Sequence, residues 1–131
     1  MYKQMTSTQK MIFMILGTLI FEFVLGVLLT TVIAYDPSSP NGFQTTILVL
    51  HMIVGAVLFF GGFIHLLNSR GTHIGPTPVI GFSSIVGAFV TGGIAAGNGS
   101  DIAVLLMALF FSAAIVAYGI NYATSMTKKS T

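Results

Sequence analysis

Four apolar runs, at residues 11–34, 45–67, 79–97 and 102–123, fix what this chain can fold into. Each is near the roughly 20 residues that carry an α-helix across the hydrocarbon core of a bilayer. In hydrocarbon a backbone must satisfy its own hydrogen bonds, which a helix does. The connections at 35–44, 68–78 and 98–101 are short, polar and contain Pro or Gly. Connections that short force neighbouring helices to run antiparallel. The expected fold is therefore all-α: an integral membrane four-helix up-down bundle forming a single transmembrane domain over 1–131. Charge agrees, since only 6% of residues are charged against about 25% in a soluble domain. The first run follows Lys3 and Lys10 as in a signal peptide, but it exceeds a usual signal-peptide apolar region and reads as a retained span.

The few charges orient the chain. Lys3 and Lys10 precede the first span, Arg70 lies in the second connection, and Lys128 and Lys129 follow the fourth span. Four spans place all five on one side and Asp36 and Asp101 on the other. The positive-inside rule then puts both termini in the cytoplasm, with a prokaryotic cell membrane as the expected host. A net charge of +2, dispersed along the chain, gives no nucleic-acid footprint. The absence of cysteine excludes disulfides, thiolate metal sites and iron–sulfur clusters.

The first and third spans share a pattern. Phe21, Val24, Leu25, Gly26 and Thr30 match Phe82, Ile85, Val86, Gly87 and Thr91. Such self-similarity implies two pseudo-repeated helical hairpins related by an axis along the membrane normal. Gly and Thr four apart make a small-residue face for close helix packing, which Gly92, Gly93, Ala96 and Gly97 extend. The same glycines could instead clear space for a flat cofactor beside the backbone. The repeat places Leu50-His51 of the second span near Leu106-Met107 of the fourth.

The second span carries the chemistry. His51 and His65 stand fourteen residues apart, close to four helical turns, so they share a face at a separation of roughly 21 Å. An imidazole in an apolar span needs a carboxylate, a carbonyl or a metal. His51 with Gly55 one turn on, and a second histidine four turns away, is the spacing of membrane b-type cytochromes. There a haem standing between helices takes an imidazole, and the glycine admits the porphyrin to the backbone. Two histidines so placed can serve two haems, one per leaflet. Metal-ligand candidates are His51, Met107, whose thioether can bind haem iron, and His65, with Gly55 as a cofactor-binding residue. His65 lies near the inner interface, where it could instead snorkel to headgroups. His73 reads as a solvated loop residue. Glu22, mid-span, costs on the order of 3 kcal/mol unless protonated or paired. It is a protonated packing residue, a proton-relay group, or a partner for His51 or His65. No Ser-His-Asp set, convergent zinc-ligand set or phosphate-binding loop is present.

At these residues the chain resembles a family. Phe21, Leu25, Gly26 and Thr30, the proline-bearing loop and the early histidine His51 resemble one half of haem A synthase and, more loosely, other four-helix b-type cytochromes. The resemblance covers roughly residues 12–122. It implies a haem flanked by histidines early in the second and fourth helices; His51 matches the first, and Met107 stands where the second is expected. The family's catalytic acid just ahead of the second-helix histidine has no counterpart in Ile47, Leu48, Val49 and Leu50. The resemblance therefore implies a haem-binding relative without synthase activity, or one that has lost haem.

The expected function is a small haem b-binding membrane protein acting in electron transfer, within a larger redox complex and without catalytic activity of its own. The second axial ligand is Met107 or a histidine of a second copy in a homodimer. One alternative is a non-catalytic accessory subunit of a respiratory or oxygenase complex. Another is a small proton-coupled transporter using Glu22 and the histidines.

Overall fold

The computed structural model describes residues 5–33, 36–70 and 75–127. Lys3, His73, Lys128 and Lys129 lie outside the described residues. Four helices fill nearly all of the rest: α1, Ser7–Val27; α2, Gly42–Ser69; α3, Thr77–Asn98; and α4, Asp101–Thr127. Each is long and apolar enough to cross a membrane, which makes this a multi-pass membrane protein.

The helices begin ahead of the apolar runs, because polar residues at the interface cap them. Thr6 and Gln9 form a reciprocal capping box at the start of α1, and Asn41 and Gln44 form another at the start of α2. Pro78 sits in the first turn of α3, where its missing N–H costs nothing. Gly99, at φ 66°, ends α3 in the left-handed conformation that glycine adopts freely. The Ser100 hydroxyl accepts from the Ala103 N–H to start α4, and Asp101 faces that helix's positive end. α4 also runs on to Thr127, past the expected end near 123.

α1 does not end cleanly. Leu28–Val32 continues it as a π-helical turn, with the Ile33 N–H donating to the Leu28 carbonyl. Thr30 and Thr31 bond back to the Gly26 and Val27 carbonyls across the same stretch. Thr91 makes the matching bond to Gly87, so both Gly–Thr pairs of the shared pattern close the same local contact.

The ends of the helices gather in two groups. The Gln9 amide donates to the Ser125 carbonyl, and Thr77 bonds Asn121, which joins the start of α1, the start of α3 and the end of α4. At the other end Gln44 reaches the Ile33 carbonyl, and Pro37 packs beside Gly99. Lys10 lies in the first turns of α1 and Arg70 follows α2, while Asp36 precedes α2 and Asp101 opens α4. Ser38 donates its hydroxyl and its N–H to the Asp36 carboxylate, which holds that carboxyl below the usual range and keeps the end acidic.

The interior is an apolar column of Ile12, Leu19, Leu58, Ile85, Ala88, Phe111, Ala114 and Tyr118. Large apolar side chains such as Phe13, Phe21, Phe60 and Leu105 point outward, as lipid contact allows. Glycines set the closeness of α3 and α4. A Cβ on Gly87 would stand 2.8 Å from the Phe110 ring, and one on Gly81 2.8 Å from the Tyr118 ring. Gly87→Ala is expected to lower stability by about 1–3 kcal/mol through overpacking. Gly17→Ala, where an added Cβ meets open space, should leave stability unchanged or raise it by at most about 1 kcal/mol. Unfolding midpoints in a denaturing detergent series check both. Equal midpoints would show that Phe110 leaves Gly87 at no cost.

Candidate functional site

Glu22, His51 and Met107 come from α1, α2 and α4 and meet beside one cavity. The packing of α1 on α2 brings the first two together. Glu22 and Gly26 lie one turn apart on α1, as His51 and Gly55 do on α2. A Cβ on Gly26 would stand 3.4 Å from His51 Cε1, and one on Gly55 3.1 Å from Glu22 Oε1. Each functional side chain thus lies over the other helix's glycine. Met107 follows the same rule with α3: its Sδ lies 3.0 Å from where a Gly92 Cβ would be, and its methyl 3.7 Å from that of Gly26.

The contact between the two polar groups is short. His51 Nδ1 stands 3.0 Å from Glu22 Oε1, with the His51 side chain 13% exposed and Glu22 2%. The approach is close, but the angle at Nδ1 falls outside hydrogen-bond geometry. The other carboxylate oxygen, Oε2, is buried without a partner.

Two cavities meet at His51, Gly92, Ala96 and Met107. One, of about 250 Å³, also touches Glu22, Gly55, Phe89 and Gly93. The other, of about 160 Å³, runs past Thr30 to Gly99 and Asp101 at the acidic end. Among the described residues no three His, Asp or Glu side chains converge as a metal site. A haem, whose macrocycle supplies the in-plane ligands, needs only one or two side chains.

His65 stands apart. It is buried at 1% exposure rather than snorkelling, because the Tyr118 ring packs on it at 5.6 Å between centroids. Leu58, one turn past Gly55 and two turns before His65, separates it from the Glu22–His51 pair. Both His65 nitrogens, the Tyr118 hydroxyl and Asn121 Nδ2 have no hydrogen-bond partner among the described residues.

Gly55 gives room to Glu22 and also borders the larger cavity. Gly93 and Gly97 pack against nothing within 4 Å, whereas Gly92 seats Met107. Met107 also reaches the site from outside the shared pattern, since Gly87, the counterpart of Gly26, receives Phe110. Gly26 and Gly92 take the side chains of His51 and Met107. For Gly26 the signal was the pairing of Glu-x-x-x-Gly on one helix with His-x-x-x-Gly on the next. Compared with known proteins, the chain matches no family model, no curated protein and no solved structure.

Proposed function

We propose that this protein is an up-down four-span bundle with cytoplasmic termini in a prokaryotic membrane, that it binds haem b in the outer half of the bilayer, and that it carries electrons within a larger redox complex. The observation that carries this reading is the setting of His51. A metal-binding histidine commonly holds a carboxylate at one ring nitrogen, which fixes its orientation and raises its basicity. Glu22 stands in that position at Nδ1, and the ring borders the cavity that Met107 also lines. His51 and Met107 are the residues that would hold the iron. Gly26 and Gly92 let these two side chains lie close to the neighbouring helices. Haem would supply a one-electron couple inside the membrane. Glu22 orients the imidazole, and Phe111 and Ile85 help exclude water from the cavity. The register of α1 on α2, with Glu22 over Gly55 and His51 over Gly26, supports the antiparallel arrangement.

Haem titrated into the purified protein should saturate at one per chain. Met107→Leu, close in volume, should retain haem but shift its reduced bands and lower its midpoint potential, because a thioether ligand raises the potential. An unchanged spectrum and potential would remove Met107 from the ligand set and leave a second copy's histidine as the partner. Attachment to a larger complex is favoured by α2, which buries the smallest share of its length of the four spans and turns Met52, Ile53, Val57 and Phe60 outward.

A further inference from the structure

We propose that the opening between α2 and α3 is a lipid-side entrance to the Glu22–His51 site, and that the site takes an apolar molecule dissolved in the bilayer. The larger cavity runs from Glu22 and His51 to Met52, Phe89 and Gly93. Met52 and Phe89 are 58% and 51% exposed on faces that meet lipid, and Gly93 is exposed with open space where a Cβ would stand. The way in is therefore apolar from rim to floor. A solute from water would lose hydration along it, whereas one already in lipid exchanges one apolar surrounding for another. At the floor the path ends on a polar atom. Glu22 is 1% exposed, it lines the cavity, and its Oε2 is unpartnered. A buried carboxylate oxygen in that state is costly, and the polar end of an incoming ligand relieves the cost. The inference goes beyond the haem reading and rests on the cavity and the buried Glu22 oxygen, so the loss of either reading leaves the other testable.

Glu22 itself is the reporter. Dicyclohexylcarbodiimide partitions into lipid and modifies carboxyl groups: the carboxyl oxygen bonds to the carbodiimide carbon, the carboxyl proton passes to its nitrogen, and the O-acylurea rearranges to a stable N-acylurea. The full chain is reconstituted in phosphatidylcholine vesicles, and adducts on the Glu22 peptide are followed by mass spectrometry. A water-soluble carbodiimide serves as the comparison reagent. The apolar reagent should modify Glu22 about tenfold faster than the soluble one, and Gly93→Phe should slow it about tenfold. Phe89→Ala, which widens the opening, should speed it, and Gly17→Phe, on a face away from the cavity, should not change it. The proposal is overturned if Glu22 is not modified, if both reagents act at one rate, or if Gly93→Phe reacts like the wild type while Phe89→Ala gives no gain.

Discussion

His51→Ala is expected to strip the protein of haem, with affinity falling by more than about 100-fold, while His73→Ala keeps it. Loss of a residue behind a metal ligand typically costs about 10–100-fold in affinity, and loss of the ligand itself exceeds that. His51 is the only histidine among the described residues that borders the cavity; His65 lies two turns past Leu58, packed on Tyr118. No other imidazole of the described residues is placed to substitute. The variant leaves Glu22 buried beside a void, so stability has to be followed in parallel. Should His51→Ala fail to fold, His51→Ala with Glu22→Gln removes the unpaired carboxylate and asks the same question. Full haem content in either variant would detach His51 from the cofactor.

Glu22→Gln should have the second-largest effect, weakening haem binding by about 10–100-fold with the fold intact. Gln matches Glu in size, so it fills the space over Gly55, where a Cβ would already stand 3.1 Å from Oε1. It replaces the carboxyl behind the imidazole with a neutral amide, a weaker support for the ring. Glu22→Leu should lose affinity at least as strongly, because it offers Nδ1 no partner. If Glu22→Gln binds haem as the wild type does, Glu22 is a packing residue of the α1–α2 contact and not a support for His51.

The spans were legible because lipid imposes a long apolar run, and every charged residue but Glu22 falls outside the runs. The ends were less so. Thr6, Gln9, Asn41 and Gln44 are polar and read as loop, yet they cap and lengthen α1 and α2. The π-helical turn at Leu28–Val32 left only the paired threonines as a trace. Within the site, residue types were readable and partners were not. Glu22 stood out by its cost in hydrocarbon and His51 by its spacing. Their pairing depends on the register of α1 against α2, which the close fit of side chain over glycine defines at Gly26 and Gly55. Small residues carry no polar signal, so Gly26 and Gly92 looked like any helix-packing positions. Whether His65 snorkels or is buried could not be read from its depth along the helix, because its burial comes from Tyr118 on another helix.

The most direct measurement is the dithionite-reduced minus oxidised visible spectrum of the protein purified from membranes supplied with haem, alongside a haem-to-protein ratio. Sharp reduced bands at one haem per chain, lost in His51→Ala, are the expected result. A protein spectrum without such bands, from material that is folded and helical, would contradict the haem assignment.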